Sequence, residues 1–186
     1  MIRPATPTDA TAVVPLIIQA MGKLANKLTH VAEEHVLKEI FTHFFQLEGN
    51  QYSYENTLVF EEEGKVLGSL NAYDGGKLLE LRKPFLNFVA EHYHASDLNQ
   101  GTETEDGEFY LDSISVNPSA QGKGIGKQLI KAGINWAKKL DQHTVGLLVE
   151  KNNPDALRLY EKMNFVIQNE KQFMGGLYHH MIFKIK

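Results

Sequence analysis

The sequence of 186 residues contains no cysteine. Disulfide bonds, thiolate zinc sites, iron–sulfur clusters and a cysteine nucleophile are therefore all excluded. The chain also lacks an excess of positive charge, because 19 Lys and Arg stand against 23 Asp and Glu, for a formal charge of −4. Binding to nucleic acid or to anionic lipid is therefore not favoured.

Long apolar runs are missing as well. No stretch approaches the roughly 20 apolar residues of a membrane span, and residues 1–7 lack the apolar segment of a signal peptide. We therefore expect a cytoplasmic protein that does not act at a membrane. The composition, with 42% hydrophobic and 23% charged residues, is that of an ordinary globular domain. At about 150 residues per domain, the length predicts a single domain over residues 1–186.

The hydrophobic periodicity predicts a mixed order of helices and strands. Apolar residues at helical spacing or capping signals predict four helices, and β-rich runs predict six strands. The helices are expected at 8–21, 32–47, 124–140 and 154–163, and the strands at 57–60, 65–70, 108–116, 144–149, 165–167 and 178–185. Because hairpins and a strand–helix–strand unit both occur, the predicted fold class is α/β (α+β).

Residues 75–107 break this order. A short apolar segment at 78–89 is followed by a polar stretch at 95–107, so we expect an insertion before the central strand. The polar stretch and the start of that strand carry five acidic residues, Asp97, Glu103, Glu105, Asp106 and Glu108. They are expected either to form a solvated loop or to attract a cationic amine.

The segment 111–127 carries the most chemical information. A strand ends at Asn117-Pro118, three glycines follow within five residues, and a helix then begins with its first amides unpaired. Free amides and the positive end of the helix dipole bind phosphate, and Lys123 and Lys127 add positive charge.

Two known phosphate-binding loops do not fit this segment. A P-loop ending at Gly126-Lys127 would need glycine at position 121 and serine or threonine at position 128, where the chain has Gln121 and Gln128. A dinucleotide-binding fingerprint would need glycine where Lys127 stands, and no Rossmann-type order of strands surrounds it.

The run Gln121-Gly122-Lys123-Gly124-Ile125-Gly126 resembles the signature Gln/Arg-x-x-Gly-x-Gly/Ala with which GCN5-related N-acetyltransferases bind pyrophosphate. Residues 149–165 resemble a second block of that family, Asn-x-x-Ala-x-x-Leu-Tyr-x-x-x-Gly-Phe, and residues 2–6 resemble its first strand. One departure is Asn164, which replaces the glycine of the second block. Asparagine tolerates the left-handed conformation required there, so the turn is expected to form.

The resemblance implies the fold and the reaction. The fold would be a mixed, mostly antiparallel sheet flanked by helices, in one N-acetyltransferase domain with the 75–107 insertion. The reaction would transfer an acetyl group from acetyl-CoA to a primary amine of a small molecule or peptide, by direct attack in a ternary complex and without a metal. An alternative is a non-catalytic acyl-CoA-binding sensor or regulatory module. A homodimer is compatible with the fold.

The resemblance also implies the site residues. Tyr160 matches the general acid that protonates the departing thiolate. The general base does not follow from the resemblance: Asp112 and Glu108 lie on the central strand and share side-chain parity with Tyr110, and we prefer Asp112, with a purely structural carboxylate as the alternative. Asn153 matches a cofactor contact in some relatives but is also a fitting helix N-cap. The other predicted cofactor-binding residues are the strand residues Ile114, Ser115 and Val116, and the loop residues Gln121, Gly122, Lys123, Gly124, Ile125, Gly126 and Lys127.

The eight histidines do not predict a metal site. His92 and His94 are two residues apart and His179 and His180 are adjacent, so neither pair has the i, i+4 spacing of helical ligands. A place beside the acceptor pocket is an alternative role for His179 or His180.

Overall fold

The computed structural model describes residues 1–95 and 101–186. Within these residues, seven strands form one sheet in the order β1-β2-β3-β4-β5-β7-β6, flanked by six α-helices. The strands are β1 (Ile2–Pro4), β2 (Thr57–Glu62), β3 (Lys65–Asp74), β4 (Phe109–Val116), β5 (Thr144–Glu150), β6 (Val166–Phe173) and β7 (Gly176–Lys184). The helices are α1 (Ala10–Met21), α2 (Lys23–Thr29), α3 (Glu34–Gln46), α4 (Leu78–Tyr93), α5 (Ile125–Lys139) and α6 (Pro154–Glu161).

The two central strands of the sheet separate soon after they meet. Every other neighbouring pair is antiparallel, which confirms the predicted mixed sheet, but β4 and β5 are parallel. They share only two register pairs, Phe109 with Val145 and Tyr110 with Gly146. Beyond these pairs, each strand keeps its outer neighbour and has an edge that the other does not cover.

A β-bulge lies in β4 where the strands separate. Asn71 of β3 is opposite Ser113 and Ala72 is opposite Leu111, so Asp112 is the extra residue. Bulges bend a strand and redirect its side chains. Side chains along a regular strand point to alternate faces of the sheet, and this alternation is interrupted at Asp112.

Two hydrophobic clusters hold the helices against the sheet. One is formed mainly by α1 to α4 and includes the fully buried rings of Phe41, Phe45 and Phe85. The other joins α5 to the central strands and contains Leu129, Leu111 and Phe165. Burying one such side chain contributes about 1.5–3 kcal/mol, so these clusters account for much of the favourable free energy of folding.

Residues 78–93 form a long helix inside the segment that the sequence predicts to be an irregular insertion. The buried residues of α4 are Leu78, Arg82, Phe85 and Val89, which recur at helical spacing. The short helix α2 is also absent from the prediction, and β6 extends to Phe173 rather than stopping at residue 167. Whether 75–107 is an insertion relative to the family stays a prediction, and Asp97 lies outside the described residues.

The turn after α6 forms as expected. Asn164 has a left-handed conformation, with φ of 66°. The Phe165 amide donates to the Tyr160 carbonyl at 3.1 Å, which closes the end of the helix.

Candidate active site

A cleft of about 730 Å³ opens where β4 and β5 separate. This volume lies within the range of small-molecule sites. The strands β4 and β5 contribute Tyr110, Asp112, Ser113, Ile114, Leu148, Val149 and Glu150 to the wall of the cleft, and the region of α6 contributes Asn152, Asn153, Ala156 and Tyr160. The rest of the wall is formed by residues 20–24, 27 and 28, by Gln51, Tyr52, Arg82 and Glu103, and by residues 173–176 and 178. Of the predicted site residues, the cleft therefore brings together Asp112, Ile114, Asn153 and Tyr160.

Tyr160 is half-buried on α6 and faces this cleft. Its ring packs edge-to-face against Phe165, with the ring centroids 5.8 Å apart. Burial raises the pKa of Tyr160 to about 12. The hydroxyl is therefore protonated near neutral pH, as a proton donor must be.

Asp112 also faces the cleft, from the bulge in β4. Its Oδ2 accepts a hydrogen bond from Nε2 of Gln51 at 3.1 Å. Burial, followed by the nearby charge of Glu103, raises the pKa of Asp112 to about 6. A carboxylate with a pKa just below neutrality is suited to accept a proton from an amine nucleophile.

Arg82 and Glu103 form a buried ion pair in the wall of the cleft. The guanidinium contacts both carboxylate oxygens, and the bond from Nη1 to Oε2 is 3.0 Å. The charge of Glu103 raises the pKa of Arg82 despite its burial. Of the four described residues among the five acidic ones proposed to attract an amine, Glu103 is the one that lines the cleft, and its charge is balanced by Arg82.

Sequence reasoning did not assign Gln51 or Arg82 to the site, and it named Glu103 only as one of the acidic residues that could attract an amine. The available signal was Arg82 itself, because it shares the helical spacing of Leu78, Phe85 and Val89. A lone arginine on a buried helix face requires a buried partner. Nothing in the sequence identifies that partner as Glu103, which lies 21 residues further along.

The glycine loop lies at the surface, between the end of β4 and the start of α5. Gly122 and Gly124 have φ of 78° and 77°, so their backbone conformation favours glycine. Lys123 and Lys127 are both exposed, and the first turn of α5 contains no acidic residue. Two lysines beside the positive end of a helix dipole repel it, and a bound anion would remove that repulsion.

The end of β4 carries side-chain contacts that the sequence did not predict. The Val116 carbonyl accepts hydrogen bonds from Nε2 of Gln19 at 3.1 Å and from Nε2 of Gln121 at 3.2 Å. Gln19 also donates to Oγ of Ser115 at 2.8 Å. Both lone pairs of the Val116 carbonyl are therefore engaged, and a ligand that binds this oxygen must displace or share a glutamine.

Asn153 caps helix α6. Its Oδ1 accepts a hydrogen bond from the Ala156 amide at 3.1 Å, and Pro154 occupies the first position of the helix. Since Asn153 also lines the cleft, its Nδ2 is the group available to a ligand. The predicted contact with the cofactor stays a prediction.

His180 is completely buried and does not line the cleft. Its Nε2 lies 2.8 Å from Oε2 of Glu108, which is itself buried. Neither His179 nor His180 is among the residues that line the cleft, and a place for either beside an acceptor pocket stays a prediction. Over residues 1–95 and 101–186, no cluster of three or more histidine or acidic side chains could hold a metal ion. Over the same ranges, no helix is both long enough and apolar enough to span a bilayer.

Comparison with known proteins places this geometry in a family. The sequence pattern of the acetyltransferase (GNAT) family matches residues 23–165. A mycothiol acetyltransferase from Paenarthrobacter aurescens (strain TC1) is 39% identical over 86 residues, which are 46% of this chain and 26% of that protein. The chain thus spans about a quarter of the length of this relative.

Two solved structures illustrate the fold. A crystal structure of an acetyltransferase is 28% identical, has a TM-score of 0.83 and is covered completely, as is this chain. The protein yncA from Salmonella typhimurium, solved with its cofactor acetyl-CoA, is 19% identical and has a TM-score of 0.57. The alignment covers 100% of this chain and 94% of yncA, and at that identity it shows the fold alone.

These findings confirm the predicted fold and the predicted family. The family pattern covers well over half of the chain and includes both the glycine loop and Tyr160. The chain belongs to the acetyltransferase (GNAT) family.

Proposed function

We propose that the chain is an acetyl-CoA-dependent N-acetyltransferase that acts by direct transfer to a primary amine in a ternary complex. The observation that carries this proposal is the position of Asp112 and Tyr160. One is a carboxylate suited to accept a proton, the other is a hydroxyl suited to donate one, and both face the same cleft beside the separated strands.

The residues present fit coenzyme A. The start of α5 offers unpaired amides, the two lysines add positive charge, and built methyl groups at Gly122 and Gly124 would meet no atom within 4 Å. This open, positive turn suits a pyrophosphate. The uncovered edges of β4 and β5 offer backbone groups to the amides of the pantetheine arm, much as a sheet edge accepts an added strand.

Acetyl-CoA supplies an activated acetyl thioester. In the proposed reaction, the amine nitrogen bonds to the acetyl carbon while the carbon–sulfur bond breaks. Asp112 takes the proton that the amine loses, and Tyr160 gives its proton to the departing sulfur. An amide N–H near Ile114 stabilises negative charge on the carbonyl oxygen, a contribution that is often the largest in acyl transfer.

The acceptor is proposed only as a primary amine of a small molecule or peptide. The test is release of coenzyme A thiol from acetyl-CoA in the presence of polyamines, amino acids, aminoglycosides, peptide N-termini and the amine acceptor of mycothiol acetyltransferases. Mass spectrometry identifies the product, and a parallel titration measures acetyl-CoA binding. Acceptor-dependent release with a mass increase of one acetyl group supports the enzyme. Tight binding without release from any acceptor favours the non-catalytic module.

A further inference from the structure

Asp112 is one end of a hydrogen-bonded chain that runs through Gln51 and Arg82 to Glu103. Nε of Arg82 donates to Oε1 of Gln51 at 2.8 Å. Nε2 of Gln51 donates to Oδ2 of Asp112 at 3.1 Å. At the far end, the Arg82 guanidinium is held by both oxygens of Glu103. Glu103, Gln51 and Arg82 are each at most 4% exposed, so this is a buried network beside the cleft.

The chemistry of arginine fixes which way the Gln51 amide points. A guanidinium has only donors, so the group facing Arg82 must be the amide oxygen. The amide nitrogen then necessarily faces the other side, where it contacts Asp112 and the hydroxyl of Tyr73, the latter at 3.1 Å. Reversing the amide would place two donors together at Arg82 and two acceptors together at Asp112.

The main chain of Gln51 is held equally firmly. Its amide donates to the Leu81 carbonyl of α4 at 2.8 Å, and its carbonyl accepts from Nδ2 of Asn71 in β3 at 3.1 Å. The segment that carries Glu103 is fixed as well, because the Thr104 hydroxyl donates to the Gly75 carbonyl at 2.7 Å. Gln51, which donates to Asp112, is therefore held through its main chain by α4 and β3 and through its side chain by Arg82.

We propose that Arg82, Glu103 and Gln51 are positioning residues for Asp112: Arg82, held by Glu103, orients the Gln51 amide so that its nitrogen, and not its oxygen, faces the Asp112 carboxylate. Besides Gln51, the hydroxyl of Tyr73 is a hydrogen-bond partner of this carboxylate. The catalytic meaning of this arrangement rests on the proposed function, because it matters only if Asp112 accepts the proton of the amine.

The same residues set the electrostatics around Asp112. Besides burial, the group that raises its pKa is the Glu103 carboxylate, and the groups that lower it are Gln51, Arg82 and Tyr73. Tyr110 of β4 and Tyr52 are further titratable groups nearby, and both are kept neutral because burial raises their pKa. The opposite charges of Glu103 and Arg82 therefore balance each other, and Gln51 lies between this ion pair and Asp112.

Two isosteric substitutions separate positioning from general structural support. Glu103→Gln keeps an acceptor for Arg82 but removes the opposing charge, so the pKa of Asp112 is expected to fall. Gln51→Glu keeps the acceptor for Arg82 but replaces the donor by a carboxylate oxygen, so the pKa of Asp112 is expected to rise. A shift of one pKa unit corresponds to a tenfold change in proton affinity, and we expect about that much in each direction.

The readout is a carbon-13 NMR titration of the aspartate carboxyl groups in the free protein, with Asp112→Asn to assign the signal. The matched control is Asp106→Asn, a carboxylate-to-amide change at an exposed site of the same segment, which is expected to leave the Asp112 signal unmoved. Opposite shifts in the two test variants support the proposal. Absence of a shift in both, or shifts of the same sign, overturns it.

The titration needs no acceptor, so it separates this proposal from the proposed function. The pH profile of kcat/KM is then measured for the same variants with an active acceptor. If the fall of kcat/KM at acidic pH shifts together with the pKa of Asp112 measured by NMR, the positioning network and the role of Asp112 as base are both supported. If the pKa of Asp112 shifts and the pH dependence of kcat/KM does not, the positioning network is supported and Asp112 is not the base.

Discussion

The carboxylate of Glu108 lies against the main chain of Gly146, so closely that a methyl group on Gly146 would be 2.0 Å from Oε2. The same oxygen is 2.8 Å from Nε2 of the buried His180. Glycine at this position thus admits a buried carboxylate beside the last residue pair of β4 and β5. The two central strands and β7 are tied together at this point.

Gly146→Ala is expected to destabilise the protein by about 2–4 kcal/mol, because the methyl group must push a buried, hydrogen-bonded carboxylate away from its partner. Urea denaturation at neutral pH measures the loss. The control is Gly126→Ala, whose methyl group would make an ordinary contact of 3.9 Å with Val116 and which is expected to cost little or nothing. Equal stability of the two variants would contradict the close packing at Gly146.

Tyr160→Phe is expected to lower turnover more than tenfold while the affinity for coenzyme A changes little. The substitution removes the hydroxyl but keeps the ring that packs on Phe165. The measurements are kcat with an active acceptor and the dissociation constant of coenzyme A by calorimetry. Unchanged turnover would remove Tyr160 from the reaction.

Activity is expected to fall as the pH drops through about 6, because a base must be unprotonated and the pKa of Asp112 is raised to about that value. Below about pH 6, kcat/KM should fall about tenfold per pH unit. Asp112→Asn should abolish this pH dependence together with most of the activity. A profile that is flat between pH 5 and 7 would argue against Asp112.

The raised pKa of Asp112 is expected to lower the stability of the fold as the pH rises, whereas the activity is expected to increase. Its pKa in the fold is above the ordinary value of 3.8, so its contribution to stability is fully present below about pH 4 and is lost as the pH rises through about 6. Asp112→Asn, which cannot ionise, is therefore expected to be at least as stable as the parent at pH 8. Thermal unfolding at pH 4 and pH 8 checks the sign, and it also shows that loss of activity is not loss of fold.

Replacing Lys123 and Lys127 together by alanine is expected to weaken coenzyme A binding about tenfold or more at low salt. The two charges lie at the start of α5, where the proposed pyrophosphate binds. Lys138 and Lys139 at the other end of the same helix provide a control with equal charge removed. If both double variants bind alike, net charge rather than the loop attracts the cofactor.

Much of the fold could be predicted because its signals are local. The hydrophobic faces of α1, α3 and α5 recur at helical spacing, and the β2–β3 hairpin has β-rich runs on both sides of a polar turn. Helix α4 was missed because Pro84 and Arg82 interrupt its apolar pattern, although the helix is formed through both. Strand β6 was cut short because it is an edge strand, exposed along most of its length.

The site could be predicted only in part. Tyr160 and the glycine loop lie in blocks whose residues are near one another in sequence. The bulge at Asp112 could not be predicted from the sequence, because it depends on the register between β3 and β4. The partnership of Gln51, Arg82 and Glu103 joins three distant segments, and no local pattern specifies such a contact.

The separation of β4 from β5 also bears on how the domain holds together. With two residue pairs between them, strands β1 to β4 and strands β5 to β7 are two half-sheets joined along a short seam. A molecule lying between the separated strands would form hydrogen bonds with both half-sheets, as an additional strand would. Its binding would then be linked to folding, so that the proposed cofactor would also protect the protein from unfolding and proteolysis.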